Sequence, residues 1–151
     1  MLITSFAYSP EFTSYMTSLF GPDTTRPENN LLNDLYRGFL SRFPDTGGYN
    51  SFLLQMRIAQ CQGAQAVRDL SYQISLLFIQ SAEYTARNRT NEEYVEDLYN
   101  AILRRGADPA GFQAWVNNLN TMSRQQVLQA FTSSAEFQTR VDAVIAAGCL
   151  P

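Results

Sequence analysis

Two aspartates at matching positions, Asp45 and Asp108, are the first candidates for a chemical site. Each stands in a short turn that contains glycine, at Gly48 and at Gly111. Carboxylate oxygens in such turns could bind calcium, but neither turn has the several acidic ligands of an EF-hand loop. An aspartate directly before a helix can instead cap that helix by accepting backbone N–H bonds. We therefore favour helix caps at Asp45 and Asp108 and keep calcium binding as the alternative.

Four acidic residues cluster shortly after Thr90. Paired carboxylates could serve as acid and nucleophile in glycoside cleavage. The spacing of Thr90 and Glu93, however, matches a capping box, in which side chains satisfy the free N–H groups of a first helical turn. Acidic side chains are also favourable near the positive end of a helix. We therefore favour the interpretation that these acidic residues stabilise the first turn of a helix. They are Glu92, Glu93, Glu96 and Asp97.

Aromatic and arginine side chains stand where a ligand could be held. Trp115 and Tyr49 could stack on a sugar ring, but aromatics at helical spacing usually belong to a core. Arg42 and Arg105 recur beside the two turns and could bind an anion. An ion pair or a carbonyl contact inside the fold is the favoured interpretation of both arginines.

The basic residues exclude several reaction classes. All 11 are arginine, and the sequence has no histidine. Without histidine there is no Ser-His or Cys-His nucleophile pair and no imidazole metal ligand, and without lysine there is no Schiff base. The net charge of -3 gives no basic face for nucleic acid phosphates. We therefore expect a protein that lacks these reaction classes, uses no cofactor and binds no nucleic acid.

The composition is that of a globular protein. Hydrophobic residues make up 45% and charged residues 17% of the 151 positions. No apolar run approaches the roughly 20 residues that span a bilayer, so we expect no membrane insertion. Cys61 and Cys149 fit either one disulfide in an oxidising compartment or two separate thiols. The first ten residues lack the basic start and the apolar stretch of a secretion signal.

The chain contains an internal repeat. A shift of 63 residues aligns 33–56 with 96–119, and the shift then falls to 53, which leaves ten extra residues in the first copy between Arg57 and Leu77. Coincidences at fixed spacing indicate duplicated helical units. The matched pairs include Asp34/Asp97, Tyr36/Tyr99, Arg42/Arg105, Asp45/Asp108, Gly48/Gly111, Tyr49/Phe112, Phe52/Trp115, Phe78/Phe131, Ser81/Ser134, Glu83/Glu136, Tyr84/Phe137 and Arg87/Arg140.

Each copy is predicted to form four short helices. In the second copy, the first helix closes near Gly106, which suits a left-handed cap, and Pro109 begins the next helix. Ser123 with Gln126 forms a second capping box. The apolar positions of these helices follow helical spacing and are predicted to face the core. They are Tyr94, Val95, Leu98, Tyr99, Ile102, Leu103, Phe112, Trp115, Val116, Leu119, Val127, Leu128, Phe131, Phe137, Val141, Val144 and Ile145.

The phrase Ser-x-Glu-aromatic occurs three times, beginning at Ser9, Ser81 and Ser134. In each copy we expect the serine to cap a helix, the glutamate to lie in its positive first turn and the aromatic ring to enter the core. The earliest copy has little sequence before it. We therefore expect residues 1–21 to be the tail of a preceding truncated repeat, followed by a linker at 22–30, repeat one at 31–89 and repeat two at 90–148.

These residues resemble a bacterial family named domain of unknown function 4214. Its pattern is a leucine-tyrosine helix, an "LGRxPDxxG" turn, a tryptophan helix and an "F-x-x-S-x-E-F/Y" ending. Repeat one departs from it with Phe52 in place of tryptophan, and repeat two with Ala107 in place of the turn proline. The matching positions in repeat two are Leu98, Tyr99, Leu103, Arg105, Asp108, Gly111, Trp115, Phe131, Ser134, Glu136 and Phe137. A more distant similarity is to the linker domains of phycobilisomes, which are helical scaffolding modules.

The resemblance implies a non-catalytic module in a large secreted or surface-associated bacterial protein. We expect an all-α fold of two complete four-helix units and a partial N-terminal one, packed in tandem. The expected function is a structural or protein-interaction scaffold that contacts neighbouring repeats of its parent chain at the cell surface or outside the cell. The alternative is an accessory domain that binds a glycan or calcium for an enzyme or adhesin.

Overall fold

A computed structural model describes residues 25–150 of the chain, and this part is built from helices without a strand. The predicted all-α fold is confirmed. Two of the helices each continue directly into a π-helical turn of their own, and each helix forms one longer rod with its turn. In chain order the elements are α1 (Pro27–Leu35), π1 (Tyr36–Leu40), α2 (Thr46–Gln62), α3 (Ala64–Ile79), α4 (Ala82–Ala86), α5 (Asn91–Leu98), π2 (Tyr99–Leu103), α6 (Pro109–Asn118), α7 (Arg124–Thr132) and α8 (Ala135–Ala146).

The helices of the two sequence repeats correspond in order. The rods α1–π1 and α5–π2 carry the matched leucine-tyrosine pairs, and α4 and α8 begin at the matched serines. Helix α1 begins at Pro27, so the end of the segment predicted as a linker at 22–30 is helical. The predicted tail at 1–21 lies outside the described residues.

The ten extra residues of repeat one lengthen two helices. Helix α2 has 17 residues where α6 has 10, and α3 has 16 where α7 has 9. Gly63 alone separates α2 from α3 and has a φ of 123°, a backbone conformation that other residues rarely adopt. The insertion therefore extends a helical hairpin and does not form a long loop.

Side chains cap the helices at the predicted positions. Asp45, Asp108, Ser81 and Ser134 each accept a hydrogen bond from a backbone N–H in the first turn of the following helix. The capping boxes of Thr90 with Glu93 and of Ser123 with Gln126 are both present. These caps satisfy N–H groups that a helix leaves free at its start.

The prediction of a left-handed cap at Gly106 is wrong. The left-handed residue is Arg104, with a φ of 56°, and its counterpart Ser41 has a φ of 54°. The reason is that the wide π turn ends the rod at Leu103, which places Arg104 first after the helix. The reversal of the chain therefore occurs two residues before the glycine.

One hydrophobic core runs through both repeats. Its largest fully buried side chains include Tyr36, Tyr49, Tyr94, Phe131 and Phe137. Helix α6 contributes less than predicted, because its inward residues Phe112, Trp115 and Val116 are half-buried and none of its residues is fully buried.

Ser134→Ala is expected to lower the free energy of unfolding by about 0.5 to 2 kcal/mol, the usual effect of losing a helix cap. Its hydroxyl accepts from the Phe137 N–H at 3.1 Å and donates to the Phe131 carbonyl at 2.7 Å. Urea denaturation measures the change. The neighbouring exposed Ser133 provides the control, because Ser133→Ala removes no cap and should stay within about 0.5 kcal/mol.

Candidate functional site

Several of the predicted site residues meet at the turn that follows each π helix, in an arrangement that we call the turn cluster. In repeat two the cluster consists of Tyr99, Arg105, Asp108, Gly111 and Glu136. The Arg105 guanidinium binds both oxygens of Glu136, with Nε–Oε2 and Nη2–Oε1 distances of 2.6 and 3.0 Å. Its Nη1 donates to the Gly106 carbonyl at 3.1 Å and to Asp108 Oδ1 at 3.3 Å. The same guanidinium lies over the Tyr99 ring, 5.0 Å from its centroid.

Repeat one builds the same cluster from Tyr36, Arg42, Asp45, Gly48 and Glu83. Arg42 binds Glu83 through Nε–Oε2 and Nη2–Oε1 contacts of 2.7 and 3.1 Å. Its Nη1 donates to the Phe43 carbonyl at 3.1 Å and to Asp45 Oδ1 at 3.4 Å, and its guanidinium lies 5.4 Å from the Tyr36 centroid. The ion pairs and carbonyl contacts predicted for Arg42 and Arg105 are thus confirmed.

A close approach explains the glycine of each cluster. A Cβ atom at Gly111 would lie 2.7 Å from Tyr99 Oη and 2.8 Å from Asp108 Oδ2. A Cβ atom at Gly48 would lie 2.8 Å from Tyr36 Oη. Real Cβ atoms do not approach other atoms this closely, so a side chain here would force the tyrosine hydroxyl or the aspartate carboxylate to move.

The carboxylates of the clusters are held in their charged form. The Gly48 N–H lowers the pKa of Asp45, and the Gly111 N–H lowers that of Asp108. Hydrogen bonds from Arg42 and Arg105 lower the pKa of Glu83 and Glu136. Each aspartate that was a calcium candidate therefore has a guanidinium and a backbone N–H as neighbours. Across residues 25–150, no three acidic, histidine or cysteine side chains converge on a point where a metal ion could be held.

Stability is expected to fall as the pH drops below about 4. A carboxyl group with a lowered pKa stabilises the folded state above its unfolded pKa of about 4, and the stabilisation disappears as the pH falls through the folded pKa. Urea midpoints between pH 7 and pH 3 measure this loss. The Asp45→Asn/Asp108→Asn variant should show a smaller dependence on pH. An unchanged dependence would contradict the role of these aspartates.

The two aromatic candidates for sugar stacking have different surroundings. Tyr49 is fully buried, and its hydroxyl accepts a hydrogen bond from Asn29 Nδ2 at 2.7 Å. Trp115 is half-buried, with its ring 4.9 Å from the ring of Phe131. Packing is therefore the observed role of Tyr49, and Trp115 packs on one side while part of it stays exposed.

The acidic cluster after Thr90 divides into two groups. Glu92 and Glu96 are exposed and Glu93 belongs to the capping box, in agreement with helix-start charge. Asp97 differs, because it is 4% exposed and forms a two-point ion pair with Arg89 at 2.9 and 3.0 Å. It also accepts a hydrogen bond from the Tyr84 hydroxyl at 2.7 Å. The interpretation of Asp97 as helix-start charge is therefore wrong, because this carboxylate lies on the buried face of α5.

The counterpart of Asp97, Asp34, lies at the centre of a second buried charge cluster. Its carboxylate pairs with Arg37, with Arg104 Nε at 3.2 Å and with Arg140 Nη2 at 2.7 Å. The side chain of Asp34 is fully buried. The sequence identified Asp34 as a matched position but assigned it no role. The one available signal was that an aspartate recurs 63 residues later, at Asp97.

The two repeats exchange these charges. Arg140 of repeat two pairs with Asp34 of repeat one, and Arg87 of repeat one approaches Asp97 of repeat two at 4.0 Å. The same arginines also donate to matched carbonyls of their own repeats. Arg140 donates to Ile102 at 3.1 Å, and Arg87 donates to Phe39.

A scan against protein-family models finds the family described as "Domain of unknown function (DUF4214)" over residues 75–141. Residues 75–141 thus match this family, and the match covers less than half of the chain. The predicted family is confirmed on these residues, which include both Ser-x-Glu-aromatic phrases of the described structure and the turn cluster of repeat two. Neither curated proteins nor solved structures give a significant match.

An open groove of about 800 Å³ lies outside the DUF4214 match. One side is formed by α2, with Leu53, Leu54 and Ile58 among its lining residues. The other side is formed by Cys149 and Leu150 at the end of the described chain. Sequence reasoning missed this groove, because its apolar residues look like ordinary helix positions until the fold shows which of them remain exposed.

Cys61 and Cys149 form a disulfide with a Cα–Cα distance of 5.0 Å. This distance lies within the usual range for a disulfide. Of the two possibilities that the sequence leaves open, the structure has the bridge. Within residues 25–150, the helices are too short or too polar to cross a membrane.

Proposed function

We propose that the chain is a non-catalytic helical module that serves as a structural and protein-interaction scaffold in a larger protein. The exchange of charges between Asp34, Asp97, Arg87 and Arg140 carries this proposal. These charged groups join the two repeats to each other. Each of the two carboxylates has arginine partners within the chain, which supports a structural role.

The organisation that we propose is a pair of four-helix repeats related by an internal twofold axis. Such an axis requires that every contact from repeat one to repeat two has a matched contact in the reverse direction. Two contacts support this proposal, because Arg140 pairs with Asp34 and its counterpart Arg87 approaches Asp97. Matched residues must also meet on the axis, and Gly38 faces its counterpart Ala101, where a Cβ atom at Gly38 would lie 2.6 Å from the Ala101 Cα.

The same contacts support a non-catalytic role. The carboxylates of the turn clusters bind arginines and cap helices, and the buried carboxylates of Asp34 and Asp97 bind arginines as well. An acid, base or nucleophile must instead face a substrate with a matched pKa. The acidic residues that recur in both repeats are therefore structural in this proposal.

We further propose a bacterial parent protein that works outside the cytoplasm. The observation behind this location is the disulfide, because such bonds persist in oxidising compartments and are rare in the cytosol. The bridge joins residues 88 positions apart, and removing a native disulfide destabilises a small domain by about 2 to 4 kcal/mol.

Cys61→Ser/Cys149→Ser is therefore expected to lower the free energy of unfolding by about 2 to 4 kcal/mol. Urea denaturation of the variant and of the oxidised parent measures the difference. Thiol labelling of the protein recovered from its native source tests the location. Two free thiols in that material would contradict the proposed oxidising compartment.

The alternative function, a glycan- or calcium-binding accessory domain, is tested by melting temperature. A ligand that binds the folded state raises this temperature, by an amount that depends on concentration and affinity. We expect no shift with millimolar calcium or with the members of a glycan panel. A concentration-dependent rise that disappears in Asp108→Asn or Trp115→Ala would favour the accessory domain and contradict the scaffold.

A further inference from the structure

The groove beside α2 is a feature of repeat one that the shared fold does not require. Leu54 is 64% exposed and Ile58 is 51% exposed. The matched position of Leu54 in repeat two is the exposed polar residue Asn117, and Ile58 lies on the part of α2 that the insertion lengthens. The DUF4214 match also excludes this part of the chain. An apolar stripe that the fold leaves exposed, and that loses its most exposed leucine to asparagine in the second copy, is a feature of a binding surface.

The second wall of the groove is held in place by several contacts. The disulfide joins Cys149 to Cys61 near the end of α2, and Leu150 follows it along the groove. On the preceding side, Arg26 Nη2 donates to the Gly148 carbonyl at 2.5 Å. These contacts fix the end of the described chain against α2, so the groove is already formed before a ligand arrives.

Arg57 supplies the charge of this surface. It is the single charged residue among the described residues that line the groove. Its Nη2 donates to Asn29 Oδ1 at 3.3 Å, while its Nε donates no hydrogen bond within residues 25–150 although it is buried. A ligand with a carboxylate would find the positive charge of the Arg57 guanidinium beside an apolar stripe.

We propose that the groove binds an amphipathic helix of a partner protein, whose apolar stripe carries one acidic residue opposite Arg57. The inference rests on the proposed function as an interaction scaffold. From Asn50 to Cys61, α2 lines the groove for about 17 Å, which is the length of roughly three helical turns. An open groove of this length suits a helix whose anchors recur at every third or fourth residue.

The charge argues against a second copy of the chain as the occupant. A second α2 would bring its own Leu54 and Ile58, but it would also bring its own Arg57. Like charges brought together in an interface disfavour association. A partner that offers a carboxylate has no such repulsion and can pair with the guanidinium.

A synthetic peptide tests the proposal. The probe is a fluorescein-labelled 14-residue helix with leucines on one face, glutamines on the other and one glutamate at the centre of the leucine face. A second peptide carries lysine in place of the glutamate. Fluorescence anisotropy with the full chain should show saturable binding of the glutamate peptide and at least about tenfold weaker binding of the lysine peptide.

Matched variants locate the binding. Leu54→Asn, which copies the residue of repeat two, should weaken binding about tenfold. Leu77→Asn is the control, because Leu77 is 58% exposed but lies outside the groove, and it should leave binding unchanged. Arg57→Gln should abolish the preference for glutamate over lysine. Circular dichroism confirms that each variant is folded.

Three results would overturn the proposal. The first is no saturable binding of the glutamate peptide, and the second is equal loss in Leu54→Asn and Leu77→Asn. The third is sedimentation that shows a dimer which Leu54→Asn dissociates, since the groove would then bind a second copy. These outcomes concern the groove alone, whereas a melting shift with calcium or glycan would remove the scaffold function itself.

Discussion

Asp34→Asn is expected to lower the free energy of unfolding by about 3 to 5 kcal/mol, the usual effect of removing one partner from a buried ion pair. The carboxylate of Asp34 is fully buried beside Arg37, Arg104 and Arg140. Asparagine has nearly the same size, so packing is preserved while the negative charge is lost. The guanidinium groups then remain in the interior without the carboxylate that they surround. Urea denaturation at pH 7 measures the loss.

Asp69→Asn provides the matched control for this prediction. Asp69 lies on α3, is exposed and accepts a hydrogen bond from Gln65. Its substitution should change stability by less than about 0.5 kcal/mol, as is usual for a surface position. A loss below about 1 kcal/mol in Asp34→Asn would mean that the buried charges do not hold the repeats together.

Tyr99→Ala is expected to destabilise the chain by about 3 to 5 kcal/mol, because it removes a large buried ring and leaves a cavity. Tyr99 is 3% exposed, and its ring lies 5.2 Å from the ring of Phe131 and 5.0 Å from the Arg105 guanidinium. The substitution therefore removes packing and also the ring under the arginine. Chemical denaturation followed by circular dichroism provides the measurement.

Tyr99→Phe separates the ring from the hydroxyl in this prediction. The phenylalanine keeps the contacts with Phe131 and Arg105, so it should cost less than about 1.5 kcal/mol. Tyr36→Ala should match Tyr99→Ala, since Tyr36 has the same neighbours in repeat one, with Phe78 at 4.8 Å and Arg42 at 5.4 Å. A neutral Tyr99→Ala would show that the core has been assigned to the wrong residues.

Local sequence signals predicted much of this fold. Serine, threonine and aspartate before helices act through contacts within three residues, so the caps at Asp45, Thr90 and Ser134 could be read directly. The repeat also predicted which residues would have similar neighbours. The ion pairs of Arg42 and Arg105 follow from residues that recur at equal spacing.

The remaining features depend on how distant segments pack. The exchange of Arg140 and Asp34 joins residues 106 positions apart, and no local pattern specifies it. The disulfide needed the separation of two Cα atoms, which the sequence does not contain. The π turns could not be predicted either, and they moved the left-handed residue from Gly106 to Arg104. The exposure of a side chain is known only from the fold, so the sequence alone could not distinguish the exposed Leu54 from a leucine of the core.

The two repeats are proposed to close against each other as one folding unit, and the single tryptophan tests this most directly. Trp115 reports on repeat two, whereas Tyr36→Ala removes a core ring from repeat one. Urea denaturation of this variant is followed by Trp115 fluorescence and by circular dichroism. We predict that both signals shift together to the same lower midpoint, because the repeats unfold as one. A Trp115 transition that stays at the midpoint of the unmodified chain while circular dichroism shows an earlier phase would contradict the claim.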